Sequence, residues 1–149
     1  MSPAAVALSR SSGHTILAFD FGERYVGVAV GDTETRIANP LLMFQAASGE
    51  RRLAEVAALV REWRPERLLV GLPFAMDGRE HDMTRRARRF ARQLQSRFGL
   101  PVELADERLS SAAADEALRE MSGGGRKHKH ATHALAASII LQGYLNESA

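Results

Sequence analysis

The stretch TILAFDFGERYVGVAVGD, residues 15–32, decides the fold. Thr15–Phe21 is an apolar run that ends around Asp20, and it reads as a buried strand. Gly22–Tyr25 supplies a tight turn. From Tyr25 to Val30, the valines 26, 28 and 30 alternate with Gly27, Ala29 and Gly31, as a second strand would. The small residues on one face leave room for something to pack close. Ile37–Phe44 is a third strand, and Pro40 within it predicts an edge position or a bulge. Three strands joined by short turns form an antiparallel meander.

The period then changes. Leu53, Val56, Val60 and Trp63 recur at helical spacing through Glu50–Trp63. Arg67–Leu72 is a strand stopped by Pro73. Phe74–Met83 reads as a loop, with Thr84 as N-cap of a helix running to Phe98 and closed by Gly99. Val102–Ala105 is a fifth strand, followed by Asp106, Glu107 and Arg108. Ser110–Met121 predicts a short helix and Ser122–His130 a mobile, glycine-rich, basic linker. A final helix runs from about Ala131 to Asn146. These expectations amount to an α/β domain. It has a five-stranded mixed sheet, three strands antiparallel and two parallel, with helices on both faces. Residues 1–13 read as a disordered tail, and residues 14–149 as a single domain.

Composition narrows the function classes. The chain has 149 residues, 45% of them hydrophobic and 26% charged, which is ordinary for a soluble globular domain. The absence of cysteine removes thiolate metal sites and fits a reducing compartment. No apolar run approaches the ~20 residues needed to span a bilayer, and the first residues lack the charged start of a signal peptide. A cytoplasmic location without membrane attachment is expected. Net charge is only +2, but 18 of the 20 basic residues are arginines, seven of them between Arg79 and Arg97. Such a stripe either is a solvated helix face or follows a phosphate backbone.

Candidate chemistry lies where the strands end. A carboxylate closing a buried strand is costly unless it is paired, hydrogen-bonded or bound to metal. Asp20 is so placed, although it also suits an Asx turn before Gly22. Asp106 and Glu107 follow the last strand, and because side chains alternate only one of them faces the same way as Asp20. Parallel crossovers bring that strand end beside Asp20. His133 sits in the first turn of the final helix on its apolar side, as a core residue, a cap or a ligand. The loop Gly123–His130 could clamp phosphates.

Four segments resemble the YqgF family, also called RuvX, of the RNase H-like superfamily: AFDFGERYVGVAVGD at 18–32, VGLPFAMDG at 70–78, DERLSS at 106–111 and ATHALAASIILQGYL at 131–145. The resemblance implies an RNase H-like fold and nucleases of pre-16S rRNA or resolvases of Holliday junctions. It also implies that Asp20 is the first-strand catalytic Asp and Glu107, or Asp106, the acid of the Asp-Glu-Arg motif. The family's Asp near the start of the final helix is replaced here by His133, as in some related resolvases.

On that reading Asp20, Glu107 and His133 hold Mg²⁺ or Mn²⁺, two ions about 4 Å apart, and cleave phosphodiesters of structured RNA. Arg24, Arg85, Arg89, Arg126, Lys127 and Lys129 would grip the backbone. Partners would be precursor ribosomal RNA, with branched DNA as the alternative, and the chain would act as a monomer or weak homodimer. A non-catalytic RNA-binding assembly factor and a sugar-kinase-like ATPase are the rival readings. The second suffers because such kinases need two domains of this kind.

Overall fold

The structure, a computed structural model, describes residues 14–46, 48–73, 77–107 and 126–147. Its strands are β1 (Thr15–Phe21), β2 (Tyr25–Asp32), β3 (Ile37–Gln45), β4 (Arg67–Leu72) and β5 (Val102–Asp106). Its helices are α1 (Gly49–Trp63), α2 (Asp82–Phe98) and α3 (Arg126–Glu147). The sheet order is β3-β2-β1-β4-β5. The first two pairings outward from β1 on the hairpin side are antiparallel, while β1–β4 and β4–β5 are parallel. This is the mixed sheet expected from the alternation of short turns and helical crossovers.

Pro40 satisfies both readings offered for it. β3 is an edge strand, and its register against β2 slips between Val28 and Ala29, where Leu42 and Pro40 are the successive partners. A proline has no N–H to give the ladder, so an edge with an irregularity is where it can sit.

Side-chain alternation splits the core in two. Leu17, Phe19, Phe21, Val26, Val28, Leu68, Val70 and Leu72 pack with Val56 and Leu59 of α1 and Phe90 and Leu94 of α2. Ile16, Ala18, Ala29 and Leu69 pack with Ala137, Ile140, Leu141 and Leu145 of α3. Helices therefore cover both faces. Each fully buried Leu, Ile or Phe contributes roughly 1.5–3 kcal/mol, so α3 is anchored chiefly by four residues at helical spacing.

The close-packing expected over the small face of β2 is present. A methyl group added at Gly31 would lie 2.7 Å from Leu141 of α3, and one at Gly27 would overlap the backbone carbonyl of His133. Across the β1–β2 ladder Ile16 faces Gly31, Ala18 faces Ala29 and Asp20 faces Gly27. The small partner each time makes way for the helix.

Most ends fall within one or two residues of the sequence reading, but two helix starts differ by more. α2 begins at Asp82 and its N-cap is His81, not Thr84. His81 Nδ1 accepts from Met83 N–H at 3.2 Å, and Thr84 Oγ1, one turn in, accepts from His81 N–H at 3.1 Å. Histidine is not among the favoured capping residues, whereas threonine is. The buried Thr84 hydroxyl also donates to the Pro73 carbonyl, tying the start of α2 to the end of β4. The second difference concerns residues 126–130, read as part of a mobile linker. They are the first turns of α3. Arginine and lysine are good helix formers, and the apolar repeat that betrays the helix starts only after them. The predicted tail 1–13 and helix 110–121 lie outside the described residues.

Candidate active site

Asp20 occupies the last row but one of β1. Its neighbours in that row are Gly27 on β2 and Gly71 on β4, with Met43 and Ala105 beyond them. A carboxylate flanked by two glycines sits in a recess of the sheet rather than in a layer of side chains. Two groups fill that recess. The His133–Ala134 backbone of α3 comes down over Gly27. Glu107, just past β5, reaches in over Gly71, where an added methyl would meet Glu107 Oε2 at 2.8 Å. The backbone fixes Glu107 there, since its N–H donates to the Leu72 carbonyl at 3.1 Å.

Of the two adjacent acids, Glu107 is buried and Asp106 exposed. Asp20 and Glu107 are 8% and 7% exposed, and their side chains share a hydrogen bond. Two carboxyl groups can do that only if one carries a proton. Burial pushes Glu107 up to about 10, aided by the hydrogen bond to Asp20 and the charges of Asp20 and Asp106. Burial also raises Asp20, opposed by the Glu107 hydrogen bond and by the charge of His133. The pair thus holds a proton through neutral pH when nothing else neutralises it.

His133 is half-buried at this edge, its ring centroid 5.6 Å from that of Tyr25. It acts on Asp20 electrostatically. The structure therefore brings Asp20, Glu107 and His133 to one corner, and leaves Asp106 pointing out of it. Arg24 is exposed in the β1–β2 turn, and Arg85 and Arg89 are exposed on α2. Residues 126, 127 and 129 are in the first turns of α3, but their side chains lie outside the described residues.

The pair suits a divalent cation. Glu107 Oε2 is buried with no hydrogen-bond partner among the described residues, an orphan that normally costs 1–3 kcal/mol or more. Two crowded carboxyls are the oxygen donors that a hard cation such as Mg²⁺ takes. Among the described residues no group of three or more His, Asp or Glu is arranged to hold an ion. His133 stands beside the acid pair without completing such a group.

Sequence reading missed Gly71. It took Gly-Leu-Pro only as a strand end, yet this glycine makes the gap through which Glu107 meets Asp20. A glycine inside the apolar run Leu68-Leu69-Val70-Gly71-Leu72 was the available signal.

Sheet order and helix placement define an RNase H-like α/β fold. Thermus thermophilus RuvC in complex with a Holliday junction substrate superposes with a TM-score of 0.59 at 20% identity, over 90% of this chain and 95% of that one. The chain belongs to the RuvX family, whose model, described as Holliday junction resolvase, matches residues 14–147. A Methylobacillus flagellatus protein named "Putative pre-16S rRNA nuclease" is 47% identical over 136 residues, 91% of this chain and 93% of its own. A Burkholderia lata protein of the same name is 50% identical over 133 residues, 89% of each chain. No helix among the described residues is long and apolar enough to cross a membrane.

Proposed function

We propose that this protein is a metal-dependent nuclease that hydrolyses phosphodiester bonds of structured RNA, acting in the cytoplasm on the 5′ end of pre-16S rRNA. The observation that carries the reading is the buried pair Asp20–Glu107, in direct contact at the C-terminal edge of the sheet beside His133. A pair that must hold a proton when alone is a poor structural element. Replacing it with apolar residues would avoid the burial cost altogether. Its retention in a recess cut by Gly27 and Gly71 makes chemical sense if the proton gives way to a cation.

Asp20 and Glu107 would hold the ion or ions, with His133 as a neutral imidazole donor alongside. Bound Mg²⁺ or Mn²⁺ would supply the charge that makes water nucleophilic near neutral pH and stabilises the leaving oxygen. The chain's own residues do the rest. Asp20 and Glu107 release their shared proton on loading and fix the donor oxygens. The burial around them keeps their charges strong. Arg24, Arg85 and Arg89, with Arg126, Lys127 and Lys129 at the start of α3, would hold backbone phosphates and orient the strand without reading its bases. Cleavage should fall steeply as salt rises.

One observation favours a second reading. With no three-donor group among the described residues, and His133 where the resemblance implies an Asp, the chain could bind RNA without cutting it. Cleavage of precursor ribosomal RNA and of a four-way DNA junction, each with Mg²⁺ and Mn²⁺, separates the readings. RNA cleavage abolished by Asp20→Ala, with RNA binding retained, is the expected result. Paired symmetric cuts in the junction alone would instead make it a resolvase. Cleavage by Asp20→Ala at the wild-type rate would refute the site.

A further inference from the structure

Phe21, next to Asp20, points to the opposite face of the sheet and packs with α1 and α2. The Arg52 guanidinium lies over its ring, 4.8 Å from the centroid. Here a cavity of about 510 Å³ opens between the β1–β2 turn, the end of β3 and the starts of α1 and α2. Arg24, Arg52 and Arg86 converge on it, together with Ser48, Gln45 and one acid, Glu23. Arg86 stands 3.8 Å from exposed Glu23 and 4.0 Å from exposed Asp82, long pairs worth little in water.

The arginines are under-compensated. Arg52 Nε is buried with no hydrogen-bond partner among the described residues. Burial and the charge of Arg86 hold its guanidinium below its ordinary value. Guanidinium groups crowded in this way await an anion. One step along the same pair of helices a second cavity, of about 600 Å³, is lined by Leu53, Arg89, Arg92 and Arg97. None of those three arginines has a salt bridge among the described residues. Arg79 and Arg88, by contrast, are paired with Asp77 at 2.6 Å and Glu80 at 3.0 Å. The unpaired members of the α2 stripe thus line the α1–α2 side.

We infer that this groove is a phosphate track, in which Arg24, Arg52 and Arg86 seat one backbone phosphate of a nucleic acid and Arg89, Arg92 and Arg97 carry those that follow. The inference rests on the nucleic-acid reading above and extends the grip of Arg24 and Arg89 given there to a contact that includes Arg52, Arg86, Arg92 and Arg97. It places that contact on the sheet face opposite the acid pair. The substrate must therefore turn around the β1–β2 turn, with one segment at Asp20 and another along α2. From Arg86 to Arg97 is roughly 16 Å at 1.5 Å per residue, about the axial length of four or five successive phosphates of one duplex strand. An extended single strand serves this geometry less well than a stem or branch.

The test uses the full-length chain and an RNA stem-loop with a single-stranded 5′ extension, binding being followed across a salt series. Arg52→Gln/Arg86→Gln should weaken binding roughly tenfold or more at low salt and flatten the slope of log affinity against log salt by roughly 0.9, the share of the one phosphate they seat. Arg88→Gln, outside the groove, should change either by less than twofold. Unchanged affinity and slope in the double variant overturn the track. Should Arg52→Gln unfold by losing its stack on Phe21, Arg86→Gln alone decides, with weaker binding and a flatter salt slope expected and no change in either refuting. Inorganic phosphate should compete weakly with the RNA. Phosphate binding that depends on both arginines, while RNA binding does not, would make this a free-anion site and overturn the track. Arginine-dependent binding without any cleavage would leave the track standing and sink the nuclease.

Discussion

Alanine at Gly71 tests the recess directly. Its methyl would stand 2.8 Å from Glu107 Oε2 and 2.7 Å from the tip of Ile140, against 3.4 Å or more for ordinary contact. Ile140 can swing its terminal carbon aside at small cost. Glu107 cannot, because its backbone N–H is held by Leu72 and its carboxyl by Asp20. Its oxygen must retreat by about 0.6 Å, the difference between 3.4 and 2.8 Å. Overpacking costs roughly 1–3 kcal/mol, and removing a strand glycine returns roughly 0.5–1 kcal/mol. Net destabilisation should be at most about 2.5 kcal/mol, a fall in Tm of no more than roughly 5–10 °C. Activity should suffer more. Working geometry tolerates about 0.5 Å and a 1 Å error costs about 100-fold, so kcat should fall roughly tenfold or more with KM little changed. Steady-state cleavage of precursor RNA and thermal melts measure the two effects. Gly71→Ala with wild-type kcat and Tm would show that Glu107 does not need the gap.

Other variants probe the same corner. Gly27→Ala meets the backbone of α3 rather than a flexible tip, so it should cost about 1–3 kcal/mol, with cleavage lost to a similar degree as α3 withdraws; an unaltered melting curve would contradict the packing. Glu107 is raised from its ordinary 4.5 to about 10, so the folded state binds its proton more tightly than the unfolded one. In chelator, wild-type stability should accordingly be full below about pH 4.5 and decline as pH rises towards about 10. Glu107→Gln should flatten that decline in melts across the range, and a wild-type profile in the variant would refute the assignment. His133→Asp adds a carboxylate beside the pair and should tighten Mg²⁺ binding about tenfold by calorimetry, since hard-cation affinity follows ligand charge; no change would place His133 outside the ion's reach.

The fold was legible because its signals are local. Alternation in Tyr25–Val30, the helical repeat through Val56 and Val60, and Pro73 after Leu72 each act within a few residues. Elements hidden by side-chain chemistry were harder. His81 caps α2 through Nδ1, a role that residue preference does not predict. Residues 126–130 gave no apolar period, so a basic helical turn resembled a linker. In the site, His133 entered through its helical spacing and the family resemblance, while the meeting of Asp20 with the acids after β5 followed from parallel crossovers. The choice of Glu107 over Asp106 did not, because alternation leaves both open until the end of β5 is set against β4. Gly71 was invisible as a site residue for the same reason. Its meaning depends on the stagger of three strands, and no single segment contains that.

The row that holds Asp20 has a consequence in time. β1, β2 and β3 are neighbours in the chain and can pair as soon as they emerge, with Asp20 already in place but open to water. Glu107 arrives after β4 has crossed over, and the helix that roofs Gly27 follows later still. At about 5–20 residues per second, the stretch from Glu107 to the end of α3 at Glu147 takes the ribosome several seconds. Until then the growing chain holds a lone carboxylate and no finished centre. The acid pair and its roof are complete only once α3 has docked on the sheet.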